Sequence, residues 1–340
     1  MEDELHPVHI DFSVSLNAWG AAPEVRNAVI NSPFEQYPDP TSLAPRRAAT
    51  RRWGVPLETI AFGAGAAELI HAVCFASICP RSKALVPVPT FGEYARAARL
   101  CGAQVVHHLA APPEYVLEAA SIASAVATHR PQLVFLCAPN NPTGQALSRQ
   151  EVEQVAKACA ATGALLVLDQ AYDAFTPRPL GTPALPGHPA VLHLRSITKD
   201  HALAGLRAAF AIGPELVIAA LERVRVPWSA SAPAQTAAVA ALGDAAESHL
   251  AATLPRLRDE RARLEAAFAQ AGIQSLPSGT HYFVAEAGDA AAFRARLLRE
   301  WGIKVRDCTS FGLPRHIRVA ARTPAENNLL IQAVEAVCSG

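Results

Sequence analysis

The middle of the chain alternates short, nearly continuous apolar runs with longer amphipathic stretches. Ile60-Ala61-Phe62, Ala84-Leu85-Val86-Pro87-Val88, Gln104-Val105-Val106, Gln132 to Leu136, Ala164 to Leu168, Val191 to Leu194 and Ala208 to Ile212 have the length and side chains of strands. The runs that are apolar almost throughout fit strands buried on both faces, as in a parallel sheet. Between them, Ala66 to about Ser77, Tyr94 to Leu100 and Ser148 to Ala161 carry helical spacing. Ser148 with Glu151 three residues later forms a capping box, in which the two residues satisfy each other's free backbone N–H groups. Strand–helix–strand repetition of this kind predicts an α/β fold, a mostly parallel central sheet with helices on both faces.

From about Pro233 the texture changes. Ala234 to Leu242 and Leu257 to Gln270 read as helices, Thr280 to Glu286, Lys304 to Asp307 and His316 to Ala320 as short strands, and Pro324 to Val337 as a last helix. The first thirty residues are too few for a domain of their own. The expected organisation is therefore a large domain over 31–232 and a smaller α+β domain built from 1–30 and 233–340.

Composition narrows the function. A chain of 340 residues suffices for one large domain and a smaller one. Its 30 acidic and 30 basic residues leave no net field, which argues against a nucleic-acid binder with its basic stripe. No apolar run is long enough to span a bilayer, and the acidic start, Met1-Glu2-Asp3-Glu4, is unlike a secretory signal. The seven cysteines are scattered without a Cys-x-x-Cys pair, which fits reduced thiols in a cytoplasmic protein. The histidines have no metal-ligand spacing and imply no metal; His107-His108 reads as a solvated strand end.

The chemistry concentrates at strand ends. Lys199, in Ser196-Ile197-Thr198-Lys199, should lie just past a strand, with Arg207 eight positions on. A lysine forms a Schiff base only when part of it is neutral, which needs burial or nearby positive charge; the bland alternative is a surface lysine. Asp169 ends the run Leu165 to Leu168, on the sheet edge where open α/β folds bind ligands. Its carboxylate can hold a pyridine nitrogen protonated, or it can cap a helix. Tyr172 and Asn141 can reach a ring oxygen. Gly63-Ala64-Gly65-Ala66-Ala67-Glu68 is a glycine-rich turn opening a helix, a fair signal for one phosphate and a weak one for a dinucleotide. Phe91 can stack on a flat ring or belong to the core. Arg318, between apolar neighbours in His316-Ile317-Arg318-Val319, needs a partner: a substrate carboxylate or an internal acid. An amine, a carboxylate, a phenol, an amide and phosphate donors together make a site for pyridoxal phosphate. A nicotinamide oxidoreductase using Gly63 to Glu68 leaves Lys199 and Asp169 unexplained.

These residues carry a resemblance. Asp11-Phe12-Ser13 with Asn17, Tyr37-Pro38-Asp39, Gly63 to Glu68, Pro89-Thr90-Phe91, Asn140 to Gly144, Asp169 to Tyr172, Ser196 to Arg207, Val305 to Cys308 and Ile317 to Val319 follow, in order and spacing, the fold-type I pyridoxal-phosphate enzymes of the class I/II aminotransferase superfamily. The chain is most similar to the branch holding histidinol-phosphate aminotransferase and threonine-phosphate decarboxylase. The resemblance implies that Lys199 forms the Schiff base and shuttles a proton, that Asp169 pairs with the pyridine nitrogen, and that Asn141 and Tyr172 hold the ring oxygen. It implies a phosphate cup of Ala66, Ala67, Ser196, Thr198 and Arg207, and stacking by Phe91. It further implies a homodimer in which Tyr37 reaches the partner's site, an α-carboxylate clamp at Arg318 near Asn17, and a substrate-phosphate contact at Arg306. The substrates implied are a small amino compound carrying phosphate and a 2-oxo acid. Asp11-Phe12-Ser13, Leu194 to Lys199, Pro227-Trp228-Ser229 and Arg306-Asp307-Cys308 resemble the decarboxylase. Phe311 to Pro314, Asp169-x-Ala-Tyr172 and the absence of His-Gly-Gly from Met1 to His9 resemble the aminotransferase. The expectation is an aminotransferase, with the decarboxylase as the alternative. Gln170 stands where the motif has glutamate and is expected to point away from the ring; Trp19 is expected to narrow the substrate pocket.

Overall fold

The computed structural model describes residues 7–339; the acidic start, Met1 to Glu4, lies outside them. A short strand, β1 (Ile10–Asp11), precedes seven strands of one sheet: β2 (Ile60–Gly63), β3 (Lys83–Val88), β4 (Gln104–Leu109), β5 (Leu133–Cys137), β6 (Leu165–Asp169), β7 (Val191–Ser196) and β8 (Ala209–Ile212). Their spatial order is β2-β8-β7-β6-β5-β3-β4. Strands β3 to β7 run parallel, whereas β8 is antiparallel to both its neighbours. His107 and His108 lie within edge strand β4, bonded to Arg99 and Ser121.

Helices cover both faces because each central strand is apolar on both. Along β5, Leu133 and Phe135 pack with Leu69, Ile70 and Val73 of α3 (Ala66–Ser77) and Tyr94 of α4 (Glu93–Leu100). The alternate residues Val134 and Leu136 pack with α5 (Ala119–His129) and α6 (Arg149–Thr162). Two earlier helices, α1 (Pro23–Ile30) and α2 (Leu43–Trp53), join α8 (Ala232–Ala241) over Phe62 and Phe210; α7 (Glu215–Val224) packs beside α3. Helix α6 begins with the capping box anticipated, Ser148 accepting from the Glu151 N–H and Glu151 accepting from the Ser148 N–H at 2.7 Å.

Beyond α8, α9 runs from Asp244 to Gln270, well before the expected start at Leu257. Pro255 lies inside it; one missing N–H is tolerated because Ala-rich turns and buried Leu250, Leu254 and Leu257 hold the helix on both sides. At about 40 Å it links the large sheet to a smaller unit. There β9 (Tyr282–Glu286), β11 (Arg306–Asp307) and β12 (His316–Ala320) form an antiparallel sheet ordered β11-β12-β9. The stretch expected as one strand from Lys304 to Asp307 is two: β10 (Ile303–Lys304) leaves to pair with β1. Helices α10 (Ala290–Trp301) and α11 (Pro324–Ser339) complete this unit, and Phe12 and Ile10 pack into its core. Helices α1 and α8, by contrast, lean on the large sheet. Among the described residues no helix is long and apolar enough to cross a membrane.

Candidate active site

Strands β2, β5, β6 and β7 deliver their chemistry to one edge of the sheet. Gly63 and Ser196 both face Ala209 in register, so the glycine turn and the lysine segment lie two strands apart, roughly 10 Å. Asp169 is the last residue of β6 and pairs in register with Cys137, the last of β5. Asn140 and Asn141 follow directly.

The glycine turn is shaped around Arg207. Gly65 caps α3 at φ +90°, and a Cβ there would lie 2.7 Å from Arg207 Nη2. Arg207 itself holds φ +57°, uncommon for a side-chain-bearing residue. Its guanidinium thus lies against the helix N-terminus, where the backbone N–H groups of Ala66 and Ala67 have no intrahelical partner. Two sources of positive charge converge on one spot able to take an anion. The buried Ser196 and Thr198 hydroxyls lie 2.6 Å apart on the neighbouring segment. Glu68 turns away, receiving the Ala64 N–H and pairing with Arg225 at 2.9 Å.

Asp169 is almost fully buried and, among the described residues, has no cation bonded to it. Its Oδ1 accepts the Ala171 N–H at 2.9 Å and its Oδ2 the Tyr94 hydroxyl at 2.7 Å. Burial pushes its pKa up, against the lowering pull of those two bonds and of Lys199. It caps no helix. A buried carboxylate held by two neutral donors retains acceptor capacity for a protonated ring nitrogen. Lys199 is half-buried, and its amine is pulled below the ordinary lysine range by burial first, then by Arg318 and Arg207; Asp169 opposes them. The amine is therefore biased toward its neutral, nucleophilic form.

Among the described residues Arg318 has no acidic partner, so the internal ion pair does not form among them. It donates to Asn141 Oδ1 and, at 2.6 Å, to the Ser13 carbonyl, over the Tyr282 ring. With its oxygen taken, Asn141 keeps its amide N–H groups free to donate. Tyr172, held above its ordinary pKa at about 12 chiefly by burial, packs edge-on to Tyr282 at 4.9 Å. Phe91 is partly buried, edge-on to Tyr94 at 5.6 Å, against the core beneath α3 and α4. The Gln170 side chain does point away, to the Gly181 carbonyl and His193.

The remaining candidates are placed less uniformly. Asn17 meets the lysine through its backbone, its N–H donating to the Lys199 carbonyl at 2.9 Å, while its amide serves Thr253 and the Trp19 N–H. Trp19 packs under Arg256 beside the small-unit core. Arg306 is exposed and directly opposite Arg318 in the β11–β12 register, so the two side chains share a face. It bonds Ser310 and covers Phe311. Tyr37 is 87% exposed, touching Trp228, and lies outside the cluster formed within this chain. Three contributors escaped the sequence: Tyr94 on Asp169, Tyr282 with its hydroxyl on the Asn140 carbonyl at 2.9 Å, and the Ser13 carbonyl under Arg318. Each is a long-range contact; Ser13 lies in the Asp11-Phe12-Ser13 motif, but nothing local marks its carbonyl as an acceptor for Arg318.

Comparison with known proteins places the chain in a family. The family model for aminotransferase class I and II matches residues 9–334. The histidinol-phosphate aminotransferase of Symbiobacterium thermophilum is 32% identical over 302 residues, 88% of this chain and 82% of that protein. The threonine-phosphate decarboxylase of Salmonella typhimurium is 32% identical over 338 residues, covering 97% and 92%. A crystal structure of histidinol-phosphate aminotransferase from Sinorhizobium meliloti, in complex with pyridoxal-5'-phosphate, superposes with a TM-score of 0.91 at 25% identity, covering 99% of this chain and 93% of that one.

Proposed function

Because the chain belongs to the class I and II aminotransferases and is a pyridoxal-phosphate-dependent enzyme, we propose that it moves an amino group between a phosphorylated amino compound and a 2-oxo acid. The observation that carries this reading is Lys199 between Asp169, Arg207 and Arg318, with its amine pulled toward neutrality. The residues present fit the cofactor: the cradle at Gly65 with Arg207, Ser196 and Thr198 suits its phosphate, and Asp169, with spare acceptor capacity, suits its ring nitrogen. When bound, pyridoxal phosphate supplies an electron-withdrawing ring that takes up the electron pair released at the substrate α-carbon.

The protein's own residues then divide the work. Lys199 Nζ holds the cofactor aldehyde and afterwards carries a proton at the substrate α-carbon. Asp169 keeps the ring nitrogen protonated, Tyr172 and Asn141 donate to the ring oxygen, and Phe91 stacks on the ring. Arg318, without an acidic partner among the described residues, binds the α-carboxylate bidentately near Asn17. Arg306, on the same sheet face, takes the substrate's distal phosphate. Tyr37, exposed on its own chain, serves the partner's site in a homodimer. The seven free cysteines suit a cytoplasmic enzyme. We also propose a two-unit division near that drawn from the sequence, 31–232 against 1–30 with 233–340, with α1 and α8 attached to the larger unit.

The likeness to the Salmonella decarboxylase over nearly the whole chain supports a second reading, loss of carboxylate from a threonine-phosphate-like substrate in the same site. Both readings require Arg306. Arg306→Ala should lower kcat/KM for phosphorylated substrates on the order of a hundredfold, the loss of one charge-assisted contact, and leave dephosphorylated analogues nearly unaffected. Equal losses on both would remove Arg306 from substrate binding.

A further inference from the structure

Four buried polar side-chain atoms without a hydrogen-bond partner occupy one neighbourhood: Ser15 Oγ, both ring nitrogens of His281, and Arg318 Nε. His281 immediately precedes β9 and is shielded from solvent completely. Its ring stacks on Phe175 at 3.8 Å and 23°, meets Tyr282 edge-on at 5.4 Å, and lies 6.4 Å from the Tyr172 ring. The Ser15 backbone borders the imidazole, and the Ser15 hydroxyl borders the Tyr172 phenol. If this position only filled the core, phenylalanine would stack as well and spare the desolvation of two nitrogens. An imidazole kept there answers to polar neighbours.

We propose that His281 and Ser15 are positioning residues for Tyr172. The His281 N–H is directed at the Ser15 backbone and holds that segment in place, and the Ser15 hydroxyl donates toward Tyr172 Oη. Supplied with a donor from behind, the Tyr172 oxygen keeps its own proton for the ring oxygen of the cofactor. The inference rests on the reading of Tyr172 as that donor. The charged groups facing His281 are Arg318, Lys199 and Arg261; those facing Tyr172 are Arg318 and Asp169, with Cys137. Burial and the three cations hold His281 near a pKa of about 3, so the imidazole stays neutral with a single N–H across the working range and the relay has one direction.

The test is a spectroscopic pH titration of the cofactor–Lys199 chromophore in the holoenzyme. A donor on the ring oxygen lowers the pKa of the proton shared with the lysine nitrogen, so weakening that donor raises it. Ser15→Ala and His281→Phe should each raise this pKa by roughly half a unit, less than Tyr172→Phe, with apoprotein melting temperatures close to the parent. In a Tyr172→Phe background, Ser15→Ala should add nothing, because the relay then has no end. Should His281→Phe fail to fold, Ser15→Ala carries the test, since it removes only one hydroxyl. Unchanged pKa values in Ser15→Ala and His281→Phe, beside a raised one in Tyr172→Phe, would overturn the relay alone. No shift in Tyr172→Phe would overturn the reading of Tyr172 and the relay with it.

Discussion

The Lys199 amine is tuned by its surroundings and not by a hydrogen bond to it among the described residues. It is displaced by burial and by two guanidinium groups, and Asp169 restrains the displacement. Lys199→Ala should abolish the visible absorbance band of the cofactor-loaded protein; a variant that retained the band would remove Lys199 from the chemistry. Asp169→Ala should keep bound cofactor, since the phosphate cradle is untouched, yet lose turnover. Losing one preorganised electrostatic partner of the developing charge should lower kcat on the order of a hundredfold or more. Full turnover in that variant would contradict the assignment. These two residues were legible in the sequence because strand ends and motif spacing mark them. Tyr94, whose hydroxyl completes the Asp169 site, was not: its partner lies 75 positions away, and nothing near Tyr94 distinguishes it from an ordinary core aromatic.

Among the elements, the strand–turn–helix from β2 into α3 is the most exacting. Gly65 has both a left-handed φ and a guanidinium where a side chain would go. Gly65→Ala should push Arg207 out of the cradle and weaken cofactor binding at least tenfold, about 1.4 kcal/mol, while the apoprotein melts within a few degrees of the parent. Equal cofactor affinity would show that the phosphate binds elsewhere. The α3 bounds and the α6 cap were readable from the sequence, since each start carries a local signal, the glycine turn and the Ser148–Glu151 box. Helices α1, α2, α5, α7 and α10 were not anticipated. Helix α2 has three buried residues among its many arginines, and most of these helices begin without a side-chain cap; packing on the sheet, not local sequence, fixes them. The start of α9 was missed for the same reason, its first turns following a glycine with no capping side chain.

At the scale of the whole molecule, buried histidines set the acid limit. His193 is held near a pKa of about 4 and His281 near about 3 by burial, and His201 is lowered by the same cause. The unfolded chain, with histidines near 6.5, takes up protons first. Stability is therefore full above about pH 6.5 and is lost as pH falls below it, each histidine contributing up to about 1.4 kcal/mol per pH unit until its folded pKa is reached. Melting temperatures of the apoprotein should fall steadily from pH 6.5 to 5; a flat profile would mean that these rings gain partners or water. The exposed Tyr37 bears on assembly. Mixing inactive Lys199→Ala with Tyr37→Ala subunits should restore about a quarter of parental activity, from mixed dimers with one intact site; no recovery would place Tyr37 outside the partner's site. The central claim, amino transfer and not decarboxylation, is tested most directly by incubating the cofactor-loaded protein separately with histidinol phosphate and threonine phosphate, without a 2-oxo acid, while following the cofactor spectrum and carbon dioxide. Conversion to the pyridoxamine form without gas is the predicted result. Gas release with the original spectrum regenerated would contradict it and make the chain a decarboxylase.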